Sequence, residues 1–152
     1  MNLSRLPRIL LAVVLSLAVA GTAIAATSAP SPGKYKGKTP QIDSRTGKKF
    51  VLTFKVANGK VSKVKTGTRD KCPDGSFLRV DQNAFTSAPL DSKGRFTLRA
   101  GTPQQPAVMK GKINGAKASG TITDKTNDPG TSTTPSSGLC KASTTWTAKV
   151  AK

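Results

Sequence analysis

Two residue types on which much of enzyme chemistry depends are absent from this chain. It contains no histidine, and all seven of its acidic residues are aspartates. Without histidine, neither a Ser-His-Asp nor a Cys-His catalytic arrangement can form, and the commonest zinc ligand is missing. A carboxylate pair for glycoside hydrolysis would consist of aspartates alone. We therefore expect a protein that is not an enzyme and that has no metal site and no cofactor.

The aspartates lie mostly in polar stretches that are typical of loops. Asp70 and Asp74 flank Cys72, while Asp124 and Asp128 lie in a second polar stretch. Aspartates in loops usually cap turns, because the carboxylate accepts hydrogen bonds from nearby backbone amides. We expect this structural role; only the convergence of two aspartates in a concave site would favour catalysis.

Long apolar runs are also scarce, and the single one lies near the N-terminus. Arg5 and Arg8 precede an apolar run over residues 9–20, and the small residues Ala23-Ile24-Ala25 follow it. This order is that of a secretory signal peptide, which we predict over residues 1–25. The alternative is a membrane anchor, but the run is shorter than the roughly 20 residues that a span requires. We expect a secreted protein, extracellular or associated with the cell wall, with no transmembrane segment after signal removal.

Cysteine is limited to two positions, Cys72 and Cys140. In an oxidising compartment such a pair predicts one disulfide with a single possible connectivity, and two free thiols are the alternative. A bridge that closes so long a loop stabilises a fold by roughly 4 kcal/mol on the chain-entropy model. That is a large share of the roughly 5–15 kcal/mol net stability of a typical domain.

Positive charge, by contrast, is plentiful. The formal net charge is +18, and it becomes +16 when Arg5 and Arg8 leave with the predicted signal. So high a positive charge attracts polyanions, and an exported protein first meets those of the cell envelope. The alternative is that the charge serves solubility. Aromatic residues make up only 5% of the chain, which leaves few rings for stacking on bases. We therefore expect no sequence-specific binding to nucleic acid.

Alternation of apolar and polar residues runs through the chain after the signal and predicts β-strands. The most regular stretch, residues 107–122, has Asn114-Gly115 at its centre, the preferred pair for a type I′ turn. Folding the chain at this pair places Ile113 opposite Ala116 and keeps small or apolar residues on one face. The stretch therefore predicts a half-buried β-hairpin.

A second hairpin is predicted around Asn58-Gly59. Its first arm turns four apolar residues to one face: Phe50, Leu52, Phe54 and Val56. Regular alternation in its second arm would turn Lys63 inward. We therefore predict a β-bulge near Ser62-Lys63, which turns Val64 inward instead.

The two ends of the domain are also predicted to be strands. Over residues 33–38 lysines alternate with Tyr35 and glycines, which predicts an edge strand with its lysines in water. The last strand, over residues 140–150, turns Trp146 into the core. Residues 124–138 are predicted to be a long exposed loop.

The whole pattern predicts about eight short antiparallel strands and no helix after the signal peptide. We expect a single all-β domain over residues 33–152, either a sandwich or a small up-and-down barrel, with one disulfide and a flexible leader over residues 26–32. In the up-and-down arrangement the first and last strands pair and close, or nearly close, the sheet.

Glycine, aromatic and cysteine residues punctuate the chain in a recognisable pattern. It consists of Gly33-x-Tyr35-x-Gly37, an Asn-Gly hairpin, Cys72 in a loop, Gly94-x-Phe96, Gly120-Thr121 within residues 111–122, Cys140 and Trp146-x-Ala148. This pattern spans nearly the whole mature domain and resembles that of small secreted β-proteins of Gram-positive bacteria. The resemblance implies an all-β fold and an extracellular compartment, and it implies no activity and no site residue.

Basic residues, most of them lysines, are the only type of charged side chain that is present in quantity. Nine of them are candidate contacts for a polyanion: Lys34, Lys36, Lys38, Lys55, Lys63, Lys65, Lys110, Lys112 and Lys117. If their faces adjoin, they form one lysine-covered sheet surface that can hold a polyanion. The alternative is that lysines simply occupy the solvent-facing positions of strands.

These observations lead to two hypotheses about function. The first is a secreted, non-catalytic β-domain that acts as a binding or structural module at the cell envelope and associates weakly with anionic cell-wall polymers. The alternative is a small-ligand-binding or inhibitor protein of β-barrel type. Its function would lie in an exposed loop over residues 67–75 or 124–138, or in an inner cavity lined by Tyr35, Phe54, Phe96 or Trp146.

Overall fold

The computed structural model of the protein describes residues 28–127 and 138–151. These residues form nine strands: β1 (Gly33–Asp43), β2 (Lys48–Ala57), β3 (Lys60–Lys71), β4 (Phe77–Gln82), β5 (Ala88–Pro89), β6 (Arg95–Gly101), β7 (Pro106–Asn114), β8 (Lys117–Asn127) and β9 (Leu139–Val150). Within these ranges no helix is long and apolar enough to cross a membrane. The predicted signal peptide over residues 1–25, the start of the predicted leader and residues 128–137 of the predicted loop lie outside the described residues.

The strands form one antiparallel sheet in the order β4-β3-β2-β1-β9-β8-β7-β6, with β5 paired to β3. Neighbours in the sheet follow one another in sequence except at its centre, where the first and last strands pair. The segment around β5 also reaches β6, because the Thr86 amide donates to the Arg99 carbonyl at 3.1 Å and the Asp91 amide donates to the Arg95 carbonyl at 2.9 Å. The sheet thus curls into a small barrel, which confirms the all-β class and the up-and-down arrangement.

The prediction that residues 33–38 form an edge strand was wrong. β1 pairs with β2 through Lys36 and Thr53 and with β9 through Lys36 and Lys149, so it is an inner strand. Its lysines nevertheless face water, because the outer face of a barrel strand is exposed whether or not the strand lies at an edge.

Four aromatic side chains fill the centre of the barrel. Phe54 stacks on Tyr35 with ring centroids 4.8 Å apart, and its ring lies 5.8 Å from that of Trp146 and 6.2 Å from that of Phe96. The inward positions predicted for β2 and the inward position of Trp146 are confirmed, because these side chains are buried. The interior at this level is therefore occupied by side chains.

The β7–β8 hairpin is present, but its predicted register was wrong by two residues. Asn114 pairs with Lys117, so the two-residue turn is Gly115-Ala116, and only Gly115 has a positive φ, of 56°. This is the pattern of a type II′ turn, which takes glycine at its first central position. Asn114 stays in the strand, and its side-chain oxygen accepts a hydrogen bond from the Ser28 amide at 2.8 Å. A shift of two residues keeps each side chain on its face, so the predicted core of both arms survived.

The β2–β3 hairpin and its bulge are as predicted. Asn58 and Gly59 both have positive φ, as a type I′ turn requires. Beyond the turn, one residue of β2, Phe54, faces two residues of β3, Lys63 and Val64, and Val64 is buried. Lys63 takes the left-handed conformation with φ 55°, which is costly for a residue with a Cβ atom.

Replacing Lys63 by glycine should raise the free energy of unfolding by about 0.5 kcal/mol, because glycine adopts this conformation without strain. The matched control is Lys65→Gly in the same strand, where φ is ordinary and the change should lower stability by about 0.5–1 kcal/mol. Urea unfolding of the two variants measures both effects. Equal destabilisation by the two substitutions would contradict the strained bulge.

Candidate functional site

Lysines of different strands lie side by side on the outer face of the barrel. Lys149 of β9 pairs with Lys36 of β1 on one side and with Lys117 of β8 on the other. Like charges directly opposite each other destabilise a sheet. In the described ranges the ion pairs involve arginines only, in Arg79–Asp43, Arg79–Asp81 and Arg95–Asp91. The lysine charges in this row are thus not balanced by a carboxylate of the described chain.

Five lysines surround one shallow groove of about 780 Å³, named here the lysine groove: Lys36, Lys38, Lys112, Lys117 and Lys149. Most of its other lining residues are small, among them Gly37, Ser119 and Thr147. Gly37 is required for the close approach of β1 and β9, because a Cβ atom there would lie 1.9 Å from the carbonyl oxygen of Thr147. A low floor between long cationic side chains allows an anion to contact several ammonium groups at once.

The structure unites part of the predicted set of nine lysines in this groove. Lys36, Lys38, Lys112 and Lys117 line it, whereas Lys34, Lys55, Lys63 and Lys65 line a smaller hollow of about 300 Å³ over β1–β3. Lys110 lies apart from both, beside a third hollow over β6 and β7.

Lys149 was missed as a candidate although alternation had placed it on the outer face of the last strand. Its importance depends on the pairing of β9 with both β1 and β8. That pairing is a property of the tertiary fold, and the sequence pattern did not specify the register.

A second polar cluster is buried at the disulfide end of the barrel. Asp124 Oδ2 accepts hydrogen bonds from Gln82 Nε2 at 2.5 Å, Thr126 Oγ1 at 3.3 Å and Thr68 Oγ1 at 3.4 Å. Asp70 is 0% exposed, and neither of its carboxylate oxygens has a hydrogen-bond partner of good geometry among the described residues.

Burial raises the pKa of Asp70 to about 7, the neighbouring Asp124 carboxylate adds to the rise, and the Thr68 hydroxyl opposes it. Well below neutral pH, Asp70 is therefore largely a neutral carboxylic acid beside Asp124. The pair therefore places two buried carboxyl groups of strands β3 and β8 beside each other.

The expected turn-capping role of the aspartates was wrong for Asp70 and Asp124, because β3 and β8 continue through them and turn both side chains inward. It was right for Asp74, whose carboxylate accepts a hydrogen bond from the Ser76 amide at 2.8 Å; Asp128 lies outside the described residues. Both side chains are buried, with Asp124 3% exposed. In the described part of the chain, no group of three or more acidic, cysteine or histidine side chains is placed to hold a metal ion.

The predicted disulfide is confirmed. Cys72 and Cys140 are bonded, with an S–S distance of 1.98 Å, and lie 68 residues apart in the sequence. Beside the bond, Lys71 of β3 pairs with Lys141 of β9. The bridge therefore joins the end of β3 to the start of β9.

Comparisons of the chain with protein-family models, curated proteins and solved structures found no match.

Proposed function

We propose that this protein is a secreted, non-catalytic module that associates with anionic polymers of the cell envelope through the lysine groove. The observation that carries the proposal is the gathering of five lysines around one low-floored groove, with no ion pair to a carboxylate in the described ranges. Retaining opposed like charges costs stability, and an anionic ligand bound across them removes that cost.

The expected mode of binding is electrostatic and weak. Lysine ammonium groups bind phosphate or carboxylate groups as point charges, and bound polymer releases its condensed counterions, so affinity falls steeply with salt. In the central cluster Phe54, Tyr35 and Trp146 pack inside the barrel, which leaves them unable to stack on bases. This supports binding to a polymer through its charge and not through a base sequence.

Two features support an extracellular setting. A disulfide persists mainly in oxidising compartments, and the pattern of residues 1–25 is that of a secretory signal. The resemblance to small secreted β-proteins of Gram-positive bacteria agrees with both. Within such an envelope, anionic wall polymers are partners of opposite charge that an exported protein meets first.

The alternative of a small-ligand-binding barrel has less support. The aromatic side chains that would line an inner cavity contact one another instead, and Phe96 and Trp146 lie 6.1 Å apart between ring centroids. The lysine groove, in contrast, lies on the outer surface.

Neutralising the groove should reduce binding to isolated Gram-positive cell walls by about tenfold or more at low salt. The variant replaces four groove lysines by glutamine: K36Q, K112Q, K117Q and K149Q. The matched control removes the same charge from four exposed lysines elsewhere: K48Q, K49Q, K60Q and K93Q. A sedimentation assay at rising sodium chloride measures bound protein, with wild-type binding expected to disappear as salt rises.

Three outcomes decide the proposal. Loss confined to the groove variant, with steep salt dependence, supports it. Equal loss in both variants would assign binding to net charge and contradict a role for the groove. Wild-type retention that ignores ionic strength would contradict the electrostatic mechanism.

A further inference from the structure

The outer face of β8 and β9 carries a regular polar pattern that extends beyond the lysine groove. Three pairs of hydroxyl residues lie opposite one another across these strands, named here the hydroxyl ladder: Ser119 with Thr147, Thr121 with Thr145, and Thr123 with Ser143. A lysine pair bounds the ladder at each end: Lys117 with Lys149 at the groove, and Lys125 with Lys141 at the disulfide end.

All ten side chains of this pattern are exposed. Within the described chain, no side-chain hydrogen bond involves a hydroxyl of the ladder. From Lys141 to Lys149 the strand rises by about 27 Å, at about 3.4 Å per residue. Lys71 pairs with Lys141, so the far end holds three lysines side by side, as the groove end does with Lys36, Lys149 and Lys117. The two cationic ends are therefore similar in composition and separated by a strip of hydroxyl groups.

The chemistry of the strip distinguishes between classes of polyanion. Serine and threonine hydroxyls both donate and accept hydrogen bonds, whereas phosphate and carboxylate oxygens of an ionised polymer only accept them. A ladder of six such groups therefore matches a chain that has its own hydroxyls between its charges. Carbohydrate polymers with acidic substituents have this composition.

We propose that the outer face of β8 and β9 is a track for one extended chain of an anionic polysaccharide. The chain runs along the strands from the lysine groove, over the hydroxyl ladder, to Lys71, Lys125 and Lys141. This inference rests on the proposed function and adds the class of polymer, its direction on the protein and a second set of contacts.

The track makes polymer length the main determinant of affinity. Each end alone binds weakly, and a chain long enough to reach both ends gains by effective concentration. Chains shorter than about 27 Å contact one end only. Wild-type protein should therefore bind polygalacturonate at least about tenfold more tightly than a short oligogalacturonate, measured by calorimetry at low salt.

Two variants test the track separately from the groove. K125Q/K141Q should abolish the advantage of the long chain and lower binding of the short one by about twofold at most, because the groove end still binds it, whereas K48Q/K93Q, with the same charge loss off the track, should preserve the advantage. T121V/T145V removes two hydroxyls while keeping β-branched side chains suited to a strand. It should weaken polygalacturonate binding several-fold and inorganic polyphosphate binding clearly less, because sugar hydroxyls both donate to and accept from these side chains whereas phosphate oxygens only accept. Circular dichroism and thermal unfolding verify that each variant is folded.

The outcomes separate this inference from the proposed function. If long and short chains bind equally, or if K125Q/K141Q behaves as its control does, the track is wrong and the groove remains. If polyphosphate binds more tightly than polygalacturonate and T121V/T145V changes neither, the polysaccharide assignment is wrong. If wild-type protein binds no anionic polymer at low salt, the proposed function itself fails.

Discussion

Replacing Asp70 by asparagine is expected to raise the free energy of unfolding at pH 8 by about 2–4 kcal/mol. In the wild-type protein at this pH, the buried Asp70 carboxyl must either stay protonated, although a free aspartate would be ionised, or carry a negative charge beside Asp124. Both states cost free energy relative to the unfolded chain, in which an aspartate ionises freely. Asparagine has nearly the same shape and is neutral at every pH, so it carries neither cost.

The pH dependence of the free energy of unfolding tests the same cost of burying Asp70. The folded pKa of Asp70, about 7, lies above its unfolded value near 4. Its contribution is therefore fully present below about pH 4 and is lost as the pH rises from about 4 to 7. Hydrogen bonds hold the pKa values of three other aspartates below their usual range: Asp43, Asp74 and Asp91. Their contributions have the opposite sign and disappear only as the pH falls below about 4, so the two effects occupy separate windows.

Urea unfolding at intervals from pH 4 to pH 8 measures this effect. Wild-type stability should fall across the interval, and Asp70→Asn should remove most of the fall. Asp81→Asn is the matched control, since Asp81 is exposed and its surface ion pair with Arg79 is worth little. An Asp70→Asn protein that is less stable than wild type at pH 8, or that shows the same fall with pH, would contradict a cost of burying the Asp70 carboxyl beside Asp124.

Removing the disulfide by C72A/C140A is expected to lower the free energy of unfolding by about 4 kcal/mol, because the bond closes a long loop in the unfolded chain. The loss is large relative to the net stability of a typical domain. It should also loosen the barrel end at which the Asp70–Asp124 pair lies, so the fall of stability between pH 4 and pH 7 should become smaller in the variant.

The reducing agent dithiothreitol provides the control for this prediction. It should destabilise wild-type protein by a similar amount and leave C72A/C140A unchanged in urea unfolding. Binding of a short anionic oligomer should survive in the variant at temperatures where it is folded, because the lysine groove lies at the other end of β9. Unchanged stability of the wild-type protein after verified reduction would contradict the stabilising role.

The sequence pattern was sufficient to predict which way most side chains point. Alternation placed Phe54 and Trp146 inward and Lys36 and Lys112 outward, because a strand has a strict period of two. It was insufficient for register, as the β7–β8 turn shows. In the observed register Asn114 accepts a hydrogen bond from Ser28, a contact far away in the sequence that local alternation does not show.

The sequence indicated individual residues of the candidate sites but not which of them lie together. Lys36 and Lys149 come from the first and last strands, and Asp70 and Asp124 come from β3 and β8, so both associations depend on how the sheet closes. Nothing local to either strand specifies its distant neighbour. Burial of the two aspartates was missed because each lies among polar residues that read as loop.

The pairing of β1 with β9 has a consequence for the order of events during folding. The centre of the sheet joins the two ends of the chain, so the barrel cannot close until its final strand is available. Such non-local contacts make folding slow. If the proposal of secretion holds, this delay would keep the chain unfolded until translocation is complete.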